Sequence, residues 1–175
     1  MQEKQSYENF PFWIPLLSGV LSLTIYLLGL YISYQAGILF AILYLFLCFW
    51  VEFNILRARC KYCYYYKKTC GLGRGRLCAI IFKKGDPEKF SEKKISWKDL
   101  LPDFLVLIFP LFGGVIVLIR DFNWLILSLM VILVILSMAG NALLRGSLVC
   151  KYCRQRELGC PAEQLFNKNA KAAGT

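Results

Sequence analysis

Arg57-Ala58-Arg59-Cys60-Lys61-Tyr62-Cys63 marks the point where a long apolar run gives way to a basic, cysteine-bearing segment. After six intervening residues comes Cys70. The same arrangement returns ninety residues later, as Cys150-Lys151-Tyr152-Cys153 followed by Cys160. Each box reads C-K-Y-C-x6-C, and each closes a stretch of apolar sequence. Reading outward from the boxes, the rest of the chain is a set of apolar runs separated by short basic segments.

The composition agrees with that reading. The 175 residues are 58% hydrophobic and 18% charged, and the mean hydropathy is +0.52. A soluble domain of this length does not carry so much apolar sequence. Residues 11–34, 37–56, 102–119 and 124–144 form four apolar runs, each near the ~20 residues that cross a hydrocarbon core as a helix. Residues 33–37 read as a tight turn between the first two runs, and residues 120–123 as the return turn between the last two. The expected fold is all-α and integral to the membrane, with four transmembrane helices arranged as two tandem hairpins. Residues 1–10 are an N-terminal tail and 11–56 the first hairpin. Residues 57–100 are a loop with the first box, 101–144 the second hairpin, and 145–175 a tail with the second box.

Four spans place both termini, the long loop and both boxes on one side. Of 21 Lys and Arg residues, 20 fall on that side and only Arg120 on the other. The positive-inside rule then orients the boxes and termini toward the cytoplasm of a multi-pass cell-membrane protein. The net charge of +10 is explained by this topology, without nucleic acid as partner. The partners it implies are the lipid bilayer and anionic headgroups at the basic face, with a homodimer or a protein partner open. Residues 1–10 lack the basic start and small-residue cleavage site of a signal peptide. Among the lysines of 83–101, Phe90, Ile95, Trp97, Leu100 and Leu101 read either as an interfacial amphipathic stretch or as a solvated connector.

The two boxes suggest a duplication. Two spans precede each box, so the halves share one orientation and are related by a pseudo-twofold axis along the membrane normal. A weaker echo joins Ile14-Pro15-Leu16-Leu17-Ser18-Gly19-Val20 to Phe109-Pro110-Leu111-Phe112-Gly113-Gly114-Val115. Gly19, Gly29, Gly113, Gly114, Gly140 and Ala142 are candidates for close helix packing.

With no histidine in the chain, imidazole chemistry is excluded, and a metal site would rest on thiolate. C-x-x-C sets two thiolates on one ion from a tight turn, and zinc takes four ligands with Zn–S at about 2.3 Å. The candidate ligands are Cys60, Cys63, Cys70, Cys78, Cys150, Cys153 and Cys160. Zinc is the expected metal, with Fe–S clusters or C-x-x-C thiol–disulfide chemistry as the alternative. Three arrangements are open. Cys60, Cys63, Cys70 and Cys78 could close one site, leaving the second box to recruit Glu157, Glu163 or water. The two boxes could meet across the pseudo-twofold, or each could hold its own cluster. Lys61, Lys67, Lys68, Lys151, Arg154 and Arg156 are expected to lower the thiol pKa values and offset the charge of a thiolate centre. The spacing C-x2-C-x6-C, used twice, is similar to the fungal binuclear zinc-cluster module, in which six cysteines hold two zinc ions. That resemblance covers 11 residues per box and implies shared coordination, not DNA binding.

The remaining polar residues carry weaker signals. Gly71-Leu72-Gly73-Arg74-Gly75 is not a nucleotide fingerprint, and its glycines are expected to turn backbone N–H groups toward sulfur. Tyr62, Tyr64, Tyr65, Tyr66 and Tyr152 suggest an interfacial aromatic belt. Glu52 is the only acid well inside an apolar run, and is expected to reach Arg57 or Arg145. Asn54 and Asn141 are candidates for hydrogen bonds between helices, and Cys48 for simple packing. The expected function is non-enzymatic, as soft-metal binding and handling or a membrane-anchored scaffold. A redox protein is the alternative and a small transporter the weaker one. No nucleophile, base or substrate pocket can be named.

Overall fold

A computed structural model describes residues 6–86, 97–158 and 160 of the chain, without the side chains of 97–100. Phe90, Ile95 and Glu163 lie outside the described residues, as do the side chains of Trp97 and Leu100.

The described residues contain no strand; one isolated parallel bridge joins Tyr7 and Cys153. The helices are α1 (Trp13–Ala36), α2 (Ile38–Ala58), the short α3 (Arg74–Ile81), α4 (Trp97–Arg120) and α5 (Trp124–Ile135). Beyond Ile135 the last helix continues through two π-helical stretches, Leu136–Gly140 and Leu144–Val149. Four helical stretches are long and apolar enough to cross a membrane: Trp13–Ala36, Ile38–Tyr62, Leu101–Arg120 and Trp124–Tyr152. The sequence reading ended the fourth near residue 144, but helical structure runs on to the second box. The turn expected over 33–37 is a single residue. Gly37 alone joins α1 to α2 at φ +145°, a conformation that an L side chain resists. At the second hairpin, Asn123 caps α5 by accepting from the Leu125 N–H at 2.9 Å, a usual N-cap bond.

Why these segments pack is legible in their interior residues. α1 and α4 form the central pair, with α2 and α5 alongside. Ile25 and Ile32 of α1 meet Leu107 of α4 and Ile126, Met130 and Leu133 of α5. On the other side, Tyr44, Cys48 and Val51 of α2 pack on Val106 of α4. Without a water-driven hydrophobic effect between spans, close contact must do the work. A Cβ at Gly29 would lie 2.2 Å from the Tyr44 hydroxyl oxygen, and one at Gly114 would lie 2.6 Å from Met130 Sδ. Gly19 meets nothing within 4 Å and is no packing residue. Much of the outer surface is large apolar side chains, including Leu23, Phe46, Phe49, Phe112 and Ile135, as contact with lipid requires.

The proline-containing echo does not sit at equivalent depths. Ile14 packs at the box end of the bundle, with Tyr65 and Val149. Gly114 lies against Ile32, and Gly113 against Ala36 near the Gly37 turn. A similar run of small and apolar residues recurs by chance in low-complexity sequence.

Candidate functional site

Both cysteine boxes lie at one end of the bundle, against each other. Each begins with the same local structure. Cys60–Tyr62 and Cys150–Tyr152 are 3-10 turns, closed by Cys63 N–H donating to the Cys60 carbonyl at 3.3 Å and Cys153 N–H to that of Cys150 at 3.4 Å. Cys63 and Cys153 then both turn extended, at φ −76° and −81°. One buried cluster of Phe10, Ile14, Tyr65, Leu144 and Val149 carries Cys63, Cys70, Cys153, Tyr64 and Tyr152 on its flanks.

Two hydrogen bonds tie box to box. The Tyr64 N–H donates to Gln155 Oε1 at 2.7 Å, and the Arg154 N–H donates to the Tyr65 hydroxyl oxygen at 3.0 Å. Tyr64 and Arg154 stand at the same position of their boxes, as do Tyr65 and Gln155. Each box therefore gives the backbone N–H of one position to the side chain of the next position in the other.

The N-terminal segment is the third partner, and the sequence reading treated it only as a polar tail. Tyr7 N–H donates to the Tyr152 carbonyl at 3.0 Å, while the Tyr65 hydroxyl donates to the Tyr7 carbonyl at 2.5 Å. Phe10 is buried and its N–H donates to the Thr69 carbonyl at 3.0 Å. Glu8 pairs with Arg154 at 2.7 Å. The two aromatics Tyr7 and Phe10, set in an otherwise polar tail, were the available signal for this wedge.

The glycine-rich piece behaves as expected at one position. Gly75 N–H donates to Cys70 Sγ at 3.2 Å, and a Cβ there would lie 2.3 Å from the Tyr65 carbonyl oxygen. Only glycine brings that N–H so near the sulfur. The loop is pinned into the bundle by Ser18, whose hydroxyl donates to the Gly71 carbonyl at 2.8 Å.

Arg74, next in that loop, was not singled out from the sequence. It is the partner of Glu52, in place of Arg57 or Arg145. Its Nε donates to Glu52 Oε2 at 2.7 Å and its Nη2 to Oε1, and Tyr26 also donates to Oε1. The fork geometry suits a bidentate pair. Asn54 and Asn141 also depart from expectation: each amide donates to a carbonyl of its own helix, Trp50 and Ser137, at 3.1 Å.

The tyrosines are not a belt. Tyr65 is buried at the junction, Tyr66 donates to the Phe82 carbonyl at 2.9 Å, and Tyr64 accepts from Lys68 at 2.9 Å. They also occupy the cations expected near sulfur. Lys61 lies over Tyr62, Lys68 over Tyr64 and Lys151 over Tyr152, while Arg154 faces Tyr64.

The thiols accordingly do not behave as the basic sequence suggests. Burial pushes Cys63 up to about 11, aided by Cys70 and Cys160 and opposed by the N–H groups of Tyr65 and Tyr64. Burial pushes Cys153 up to about 12, with Cys63, Cys150 and Cys160 adding to it against the Gln155 N–H. Cys78 is raised by burial and by Cys70, and its thiol faces the Leu56 carbonyl at 3.5 Å. The expected lowering by nearby cations is thus outweighed by desolvation; among the lysines, Lys61 does act to lower Cys78.

All eight cysteines are free thiols. Their mutual influence runs across the junction, from Cys63 to Cys160 and from Cys153 to Cys63. Among the described residues, no three His, Cys, Asp or Glu side chains converge as a metal site would require. The seven candidate ligands are thus gathered at one end without being closed into a coordination shell.

Fold and site together define a class, the helical protein with four helices long and apolar enough to cross a membrane and a cysteine-rich cap at one end. The chain matches no protein-family model, no curated protein and no solved structure.

Proposed function

We propose that the chain is a duplicated, membrane-anchored thiolate protein. Its two C-K-Y-C-x6-C boxes bind a soft metal on the cytoplasmic face, zinc foremost, to handle that metal or scaffold a partner. One observation supports the reading above others: the reciprocal pair Tyr64–Gln155 and Arg154–Tyr65. Such an exchange follows from two boxes packed about a twofold axis. It brings Cys63 and Cys153 into one cluster, which favours a centre shared between boxes over two separate ones. The N–H group aimed at Cys70 sulfur is the kind of donor that stabilises thiolate charge. Closing the sulfurs into a shell is then part of metal binding itself, since ligand deprotonation and folding are coupled to it. Redox work by C-x-x-C pairs is less well supported, because thiols raised this far are poor nucleophiles at neutral pH.

Elemental analysis of protein purified anaerobically tests the proposal. Colourless protein with stoichiometric zinc is the expected result. A brown protein with visible absorption points to Fe–S clusters. Metal-free protein whose cysteines change state with glutathione poise overturns the metal reading. Cys60→Ser and Cys150→Ser should each release metal and loosen the cap, while all four spans still insert. If both retain full metal and protease resistance, the ligand assignment fails.

A further inference from the structure

Outside the four long apolar stretches, exposed large apolar side chains among the described residues stand singly, at Phe12, Phe122 and Leu158, except on α3. There Leu77, Ile80 and Ile81 are 49%, 82% and 51% exposed. Their spacing of three and four residues sets them on one side of the helix. The opposite side serves the cysteine cap: it holds buried Gly75 and Cys78, and Cys78 faces the Leu56 carbonyl at 3.5 Å. The short helix α3 is therefore packed on one side and open and apolar on the other.

Its position says what lies against the open side. The Cys78 contact sets α3 beside the last turns of α2. At its C-terminal end the Phe82 ring packs on Phe53 of α2, with centroids 5.2 Å apart, and the Tyr66 hydroxyl donates to the Phe82 carbonyl at 2.9 Å. Phe53 is itself 47% exposed and ends a stripe of exposed Phe46, Phe49 and Trp50 along α2. The open side of α3 thus extends that outward-facing stripe to the level where the apolar run gives way to Arg57. This is the depth at which amphipathic helices lie in a bilayer interface. Cations border the side: Arg76, one turn before Ile80, and Lys83 and Lys84 just beyond Phe82, all exposed. None of the three forms an ion pair among the described residues.

We propose that the outer side of α3 is an interfacial anchor for anionic phospholipid. Leu77, Ile80 and Ile81 enter the acyl-chain boundary of the leaflet at the box end, and Arg76, Lys83 and Lys84 take the headgroup phosphates. A second copy of this chain is the poorer occupant, because a twofold contact between α3 helices would bring these cations against their own copies. The inference rests on the spans and uses no metal, although Cys78 lies on the reverse side of the same helix.

Photocrosslinking of full-length protein in phosphatidylcholine vesicles with a minority of phosphatidylglycerol is the test. A benzophenone side chain is placed at Ile80 and, as a lipid-facing reference, at Phe46. Lipid adducts are expected at both positions, with phosphatidylglycerol enriched over its share at Ile80 by roughly fivefold, the worth of one basic residue near an anionic surface. The combined variant Arg76→Gln, Lys83→Gln and Lys84→Gln should abolish the enrichment and keep the adducts. Lipid adducts at Phe46 with none at Ile80 overturn the anchor. So does a predominant adduct to protein at Ile80, within one chain or between two copies. Phosphatidylglycerol captured only in proportion to its share, or enrichment that survives the combined variant, overturns the headgroup assignment. Metal content of the same samples separates any of these results from a failure of the cysteine reading.

Discussion

The backbone N–H of Tyr64 donates to Oε1 of Gln155 at 2.7 Å. Across the same junction the Arg154 N–H returns a bond to the Tyr65 hydroxyl at 3.0 Å. Two segments ninety residues apart thus hold each other through equivalent positions. Tyr65 does more than its counterpart, since it also donates to the Tyr7 carbonyl. Tyr65→Phe should leave two part-buried backbone groups unpaired, at about 1 kcal/mol each, the low end of the buried penalty. Amide exchange at Tyr7 and Arg154 should quicken, while exchange in α1 and α4 stays slow. Unchanged protection at Arg154 would mean the junction is held by packing alone.

The thiol environment makes a pH prediction. In metal-stripped protein Cys63, at about 11, should be only about 10⁻³ ionised at pH 8, so iodoacetamide should modify it far more slowly than an unfolded-chain cysteine of pKa about 8.5. The stability sign follows. The unfolded chain loses these protons first, so the thiols' contribution to stability is whole below about pH 8.5 and declines as pH rises through 11 to 12. Alkylation rates between pH 7 and 10 check the first point, and alkaline unfolding midpoints the second. Fast modification of Cys63 at pH 7 would show that the cap is open.

Glu52 and Arg74 form a pair with side-chain exposures of 27% and 13%. Glu52→Gln leaves the Arg74 cation without its counter-charge and should cost on the order of 2 kcal/mol, discounted for partial exposure. Adding Arg74→Met should restore part of that loss, because the unpaired charge goes with it. Purely additive losses in this double-mutant cycle would show the two side chains to be uncoupled.

Gly75→Ala is the sharpest steric test. The added methyl would lie 2.3 Å from the Tyr65 carbonyl oxygen and 2.5 Å from that of Lys68. Backbone must shift to relieve it, and the Gly75 N–H moves off Cys70 sulfur. A several-fold loss in metal affinity is expected, with span insertion intact. Gly19→Ala, at a glycine with open space around it, is the neutral control. Equal metal content in both variants would remove the Gly75 N–H from any role at the site.

How far the chain could be read without coordinates varies by residue. The starts of the four spans were legible to within a few residues, though the fourth runs on past residue 144 to the second box, and the glycine-rich loop was read correctly at Gly75. Gln155 carried no signal, since its role depends on which backbone group the fold leaves beside it. Arg74 was hidden because it is one of 21 basic residues, and nothing local says which of them turns inward toward Glu52. The same limit undid the expected effect of Lys68 and Lys151 on the thiols, because their positions over tyrosine rings depend on the fold around the boxes.

Hydropathy and charge belong to short windows of residues, so the order of spans, the crowding of cations on one side and the doubling of the cysteine box could all be counted from letters. The contacts of Tyr7 with Tyr65 and Tyr152, and of Tyr64 with Gln155, are not local. They exist only once α1 and α4 pack side by side and bring both boxes to one end. Whether a thiol is charged or neutral there depends on how much water that packing removes, which no count of neighbouring lysines can supply.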